Sequence, residues 1–155
     1  MKRLLTAIVM LAVAAAAQIS CEKYEDGKPS KNVRSEFERM YPDAKDVEWE
    51  TDFGYWKVSI EIGTPPNETD YEAWFDITGN WVRTEKEILF SALPQGITDA
   101  LEASEYASAV LSASDVEYVE TPDGNYYQLE ILVKGVEVKL KVDEAGKISL
   151  AGVGF

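Results

Sequence analysis

The chain has no histidine and only one cysteine in 155 residues. Histidine is the side chain most often used as a general base near neutral pH and the commonest metal ligand, so its absence removes Ser-His-Asp triads, Cys-His pairs and histidine-based metal centres. With Cys21 as the sole thiol, no disulfide can close within the chain. Basic residues are scarce: 15 Lys and Arg face 28 Asp and Glu, for a formal net charge of −13. A surface of that sign repels nucleic-acid phosphates and anionic lipid, which argues against direct binding to either. No glycine-rich phosphate loop follows a strand-like segment, so nucleotide chemistry has no footing.

Long apolar runs are missing too. The longest, Leu4 to Ala17, falls short of the roughly 20 residues needed to cross a bilayer as a helix. It follows Lys2-Arg3 and precedes small residues, the pattern of an export signal over residues 1–20. Cys21 stands at its end after Ser20, where bacterial lipoprotein precursors carry the cysteine that becomes lipidated. Lipidation at Cys21 is therefore expected, and with it the only contact to a membrane. The alternative is cleavage after Ala17, which leaves a thiol near the terminus. The expected location is the periplasm, the outer membrane or the cell surface.

Residues 21–32 are acidic and polar, contain Gly27 and Pro29, and have no apolar period, so they are expected to form a flexible tether. The remainder, 33–155, is long enough for one domain with a real core and too short for two.

Within that domain the sequence repeats itself. DVEWETDFGYWKVSIEI and EAWFDITG between Asp46 and Gly79 return as DVEYVETPDGNYYQLEI and KLKVDEAG between Asp115 and Gly146. Self-similarity of this kind means one supersecondary unit used twice. Val33, Phe37, Met40 and Tyr41 share one face of a helix that Pro42 ends. Ile97, Ala100 and Leu101 mark a second helix after Leu93-Pro94.

Alternation in the strands assigns two faces. Trp56, Val58, Ile60 and Ile62 point one way, as do Tyr71, Ala73 and Phe75, and in the second copy Tyr127, Leu129, Ile131 and Val133 with Val136, Val138, Leu140 and Val142. Trp49 joins this core. Asp76–Gly79 and Asp143–Gly146 read as tight turns. The first copy is longer at Gly63–Glu68, GTPPNE, expected as an extended hairpin loop and a candidate contact.

The order YPDAKDVEWE, EAWFDITGNWVRTEKEI, LPQGITDALEAS and VETPDGNYYQLEILVKGVEVKLKVDEAGKI resembles the PepSY-like, β-lactamase-inhibitor-protein-like family of bacterial envelope proteins common in Bacteroidetes. The resemblance implies an α+β fold: a tandem repeat of a helix plus four antiparallel strands, forming one antiparallel sheet with both helices on one face. Repeat one would cover 33–90 and repeat two 91–155. It also implies export and the binding or inhibition of another protein, and it brings no catalytic residues to transfer.

The outward face carries the candidate site. Alternation places Tyr55, Lys57, Glu61, Glu72, Trp74, Tyr126, Gln128 and Lys139 there, with Trp81 following the first turn. Aromatics on a face that no helix covers are enriched at interfaces, though cross-strand aromatic pairs also serve packing alone. A glycosidase needs only two carboxylates, but among so many acids a chance pair is expected, so no catalytic residues are assigned. Asp115, Glu117, Asp123 and Asn125 lack the alternation of an EF-hand loop, so no metal and no cofactor are expected. The sequence thus points to a non-enzymatic module for an envelope protein, with a small-ligand or glycan receptor as the alternative.

Overall fold

The computed structural model describes residues 22–110, 113 and 115–151. The export signal, Cys21 and its lipidation lie outside these residues. Among the described residues no helix is long and apolar enough to cross a membrane.

A nine-stranded sheet runs in chain order from edge to edge. Strand β1 (Lys23–Tyr24) is followed by helix α1 (Lys31–Met40), then β2 (Lys45–Asp52), β3 (Tyr55–Thr64), β4 (Asn67–Phe75) and β5 (Trp81–Glu87). After a 3-10 turn at Phe90–Ala92 come α2 (Gln95–Glu102), α3 (Ala107–Val110), β6 (Asp115–Glu120), β7 (Tyr126–Val133), β8 (Val136–Asp143) and β9 (Ile148–Leu150). Each pair from β2 onward is antiparallel.

Strand β1 is the exception, and it corrects two expectations. It pairs in parallel with β2, Lys23 opposite Glu48 and Tyr24 opposite Trp49, which makes the sheet mixed. The segment expected as a flexible tether is therefore seated on the sheet edge. Glu25 N donates to Trp49 O at 2.9 Å, and Thr51 donates to the Asp26 carboxylate through both N and Oγ1 at 2.9 Å. An edge strand offers unpaired backbone groups, and β1 satisfies those of β2.

Helix α1 starts where Ser30 Oγ accepts from Val33 N, and it ends at Tyr41, whose N–H donates to Phe37 O. Its buried Val33 and Phe37 meet Val47, Trp49, Val58, Ile60, Ala73 and Phe75 in one core. A second core gathers Ile97 and Leu101 of α2 and Val110 of α3 against Val116, Leu129, Ile131, Leu140 and Val142. The registers carry one side of the sheet from the first core to the second through Ala73↔Thr84, Tyr71↔Lys86, Lys86↔Tyr118 and Tyr118↔Tyr127. The helices thus cover one face and leave the other open.

The two tight turns form as expected. Asp76 Oδ1 accepts from the backbone N of Thr78, Gly79 and Asn80 at 2.8–3.0 Å, and Asp143 Oδ1 accepts from Ala145 and Lys147 at 3.0 and 2.9 Å. These hydrogen bonds hold the Asp76 carboxyl well below its ordinary range, the Thr78 side chain contributing most. The GTPPNE stretch differs from expectation. The β3–β4 ladder continues to Thr64↔Asn67, so only Pro65-Pro66 turn the chain and the extra residues lengthen the strands. The β7–β8 hairpin turns as tightly, through Lys134-Gly135 between Val133 and Val136.

Candidate functional site

The open face is organised in rows that cross the strands. One row runs Glu50, Lys57, Trp74, Arg83, each directly opposite the next on β2 to β5. The Arg83 guanidinium lies 4.1 Å from the Trp74 ring centre and the Lys57 ammonium 5.7 Å, an arrangement that favours the ring quadrupole. Trp74 Nε1 donates to Asp52 Oδ2 at 3.1 Å. Lys57 is held by Glu72 at 2.8 Å and Glu50 at 3.0 Å. Desolvation pulls against its charge, but the hydrogen bonds it donates to both carboxylates keep it above its usual pKa.

The next row is Ser59, Glu72, Glu85, Val119, Tyr126. Glu85 is only 8% exposed although no helix lies over it. Its carboxylate takes Arg83 Nε at 3.1 Å. Burial pushes its pKa up to about 7; Arg83 and Lys139 oppose that rise, and Glu117 and Glu72 add to it. Burial also raises Tyr126, whose ring the Lys141 ammonium covers at 3.8 Å.

Carboxylates face each other across this surface. Glu61 stands opposite Asp70, Glu72 opposite Glu85, Glu87 opposite Glu117, and Asp115 opposite Glu130. Such directly opposed like charges destabilise a sheet. Glu61 is raised by desolvation and then by Asp46, Glu68 and the opposite Asp70, and Glu117 by burial and then by Asp115 on its own strand. A shallow cleft of about 260 Å³ lies among Asp46, Glu48, Ser59, Glu61, Asp70 and Glu72. Among the described residues no group of acidic side chains has the geometry to hold a metal ion.

Of the expected outward residues, Tyr55, Lys57, Glu61, Glu72, Trp74, Tyr126, Gln128 and Lys139 all fall on the open face by register. Gln128 Nε2 donates to Glu117 Oε2 at 2.7 Å, and Lys139 pairs with Glu130 at 2.6 Å. Trp81 does not belong to them. It pairs with Phe75 after a register shift between Trp74 and Phe75, packs on the α1 core, and donates through Nε1 to Thr84 Oγ1 at 2.9 Å. Thr84 in turn meets the Tyr41 hydroxyl at the end of α1. Trp74 also departs from the picture of an exposed contact aromatic, being 2% exposed beneath its cations.

Arg83 and Glu85, central to this face, escaped the sequence reading, and Glu117 was weighed there only as a metal ligand. For the first two the signal was present in the alternation of WVRTEKE, but the register shift between Trp74 and Phe75 breaks the count when it is carried over from β4.

Solved structures share this architecture. A BLIP-like protein from Bacteroides fragilis aligns with a TM-score of 0.70 at 25% identity, covering 82% of this chain and 88% of its own. A DUF2874 family protein from Bacteroides ovatus aligns at 0.69 with 26% identity, covering 80% and 89%. A third, from Bacteroides eggerthii and called "putative periplasmic", aligns at 0.67 with 20% identity over 79% and 86%, a likeness of fold alone. No curated protein matches. Residues 55–149 match the family described as "Putative beta-lactamase-inhibitor-like, PepSY-like", and on that match the chain belongs to the PepSY-like family.

Proposed function

We propose that this chain is a non-enzymatic binding module of the bacterial envelope that recognises, and by doing so inhibits, another protein through the open face of its sheet. One observation carries the reading: the face that no helix covers holds a charged and aromatic layer already fixed by its own contacts, with Lys57, Trp74, Arg83 and Glu85 largely withdrawn from solvent. Side chains fixed before binding lose little further entropy on association, the condition for a specific protein interface. The family's inhibitor-like description and the BLIP-like neighbour support the same reading. The glycan alternative is less well supported, because the Trp74 and Tyr126 rings are covered by Arg83 and Lys141 instead of being offered to a sugar.

The two halves are copies of one helix-plus-four-strand unit in this reading. Gly79 in the first turn lies under the backbone of Asn32, the second residue of α1, while Gly146 lies under Ala100 and Gly96, the latter the second residue of α2. Each turn thus seats its own helix in the same way. Export by the segment 1–20 and lipidation at Cys21 complete the proposal, which puts the domain at the envelope surface.

The test is photo-crosslinking in intact cells with a benzophenone side chain at Ser59 or Gln128 on the open face, and at Arg34 or Glu38 on α1 as controls. Capture of one envelope protein from the open-face positions alone is the expected result. Equal capture from both sides, or none, removes the reading.

A further inference from the structure

The first strand is held more lightly than the rest of the sheet. β1 pairs with β2 only through Lys23↔Glu48 and Tyr24↔Trp49, whereas β2 pairs with β3 from Lys45 to Asp52. Beyond that short ladder it is seated by Glu25 N on Trp49 O and by the Asp26 carboxylate, which accepts from Thr51 N and Oγ1. Tyr24 packs in part on the first core, but Lys23, Glu25 and Asp26 are exposed. The Lys23–Glu48 ion pair is also open to solvent, where such pairs contribute little. Few buried contacts and solvent-facing hydrogen bonds mark a segment that opens well below the free energy of global unfolding.

The opening has a built-in limit. Gly27, at φ +97° with open space where a Cβ would stand, serves as the hinge. Beyond it Pro29 is buried, its carbonyl accepts from Arg34 Nε at 3.3 Å, and Ser30 caps α1. Release therefore frees Glu22–Lys28 and stops there.

The seated position also has a direction. Because β1 is parallel to β2, the chain enters beside the Lys45 end of β2, where Lys45 Nζ donates to Gly63 O, and runs toward the Phe53-Gly54 turn. Glu22 alone separates β1 from Cys21, where lipid is proposed. With β1 seated the chain has no slack, so the end of the sheet at Lys45 and Pro65-Pro66 is held next to the bilayer. The turns bearing the exposed Phe53 and Ile77 then stand farthest from it. With β1 released, Glu22–Lys28 spans roughly 24 Å when extended. Asp43, Glu61, Glu68 and Asp70 stand at the held end, so anionic lipid pulls against the seated position and zwitterionic lipid does not.

We propose that β1 is a strap with two positions. Seated, it fixes the height and orientation of the domain above the lipid on Cys21, with the β2–β3 and β4–β5 turns outermost. Released, it lets the intact domain reach farther from the membrane. This rests on the lipidation at Cys21 and is independent of which partner the open face binds.

The experiment uses the mature lipoprotein purified from membranes and reconstituted in phosphatidylcholine vesicles. Ile77→Cys supplies a thiol for a donor dye, and energy transfer to an acceptor on the bilayer surface reads the height of the outer turns. A narrow distribution of heights is expected. Adding Tyr24→Ala and Asp26→Ala should broaden it and raise its mean by on the order of 10–20 Å. Amide hydrogen exchange on the unsubstituted protein should show Glu25 and Thr51 exchanging at least about tenfold faster than Val58 and Ile60 in β3. In the strap variant Thr51 should lose its protection while Val58 and Ile60 change by less than about twofold, which also checks that the domain is folded. Glu25 and Thr51 exchanging in step with Val58 and Ile60 would make β1 a fixed part of the fold and overturn the strap. An unchanged height in the variant, or a mature protein without lipid on Cys21 by mass spectrometry, overturns it as well. The crosslinking experiment fails separately: capture of no partner removes the proposed recognition and leaves these readings in place.

Discussion

Glu85 is the residue where physical cost and position meet. Its folded pKa, about 7, lies above the ordinary 4.5 because burial disfavours the charged form. The folded protein therefore binds this proton more tightly than the unfolded chain does. The stability that follows is fully present below about pH 4.5 and is lost as pH rises to about 7. Glu85→Gln should remove that slope: urea denaturation at pH 5 and pH 8 should show a smaller difference in the variant, by on the order of 1–3 kcal/mol. An unchanged difference would assign the slope elsewhere, Glu117 and Glu61 being raised in the same direction. Asp76 acts with the opposite sign, since its depressed pKa contributes stability that is lost in acid below its ordinary 3.8. Trp74 belongs at this scale too. Because it is buried, Trp74→Ala should cost about 3 kcal/mol in thermal or urea melts, so a binding defect in that variant would report unfolding as much as contact.

At the scale of elements, the turns fix how the helices sit. A Cβ on Gly79, at φ +105°, would come within 3.0 Å of the Asn32 backbone, whereas on Gly146 it would meet the Ala100 side chain at 3.1 Å. Backbone yields less than a side chain. Gly79→Ala should therefore cost more than Gly146→Ala, both within about 1–3 kcal/mol, as measured by chemical denaturation. The helices themselves were legible, because the spacing of Val33 and Phe37, and of Ile97 and Leu101, matches one face of a helical turn. The short α3 was not, since Ala107–Val110 carries too little apolar pattern to mark a helix. The lengthened β3–β4 hairpin was also hidden. Proline pairs signal a turn, but how far the ladder runs beside it depends on which strands meet.

Over the whole molecule, two cores hang on one continuous sheet, and the link between them is narrow. β5 and β6 pair over Thr84–Glu87, while β3 and β4 pair from Trp56 to Thr64. Phe37→Ala, which empties the centre of the first core, should destabilise by about 3–5 kcal/mol. Hydrogen exchange in that variant should show β2 to β4 losing protection before β7 and β8 do. Equal loss in both halves would mean the narrow seam still couples them fully.

Alternation and helical spacing alone determined the main strands and helices, the paired turns and the side of the sheet on which all but one of the expected site residues stand, while the fold class was implied by the family resemblance. They could do so because side chains repeat every second residue in a strand and every third or fourth in a helix. Tertiary structure alone decided three things: that Trp81 faces the helices, that Lys23–Tyr24 joins the sheet, and that Arg83, Glu85 and Glu117 gather beside Trp74 and Tyr126. Each depends on a bulge or a register between distant strands, and no local pattern of residues specifies which rows will stand opposite one another.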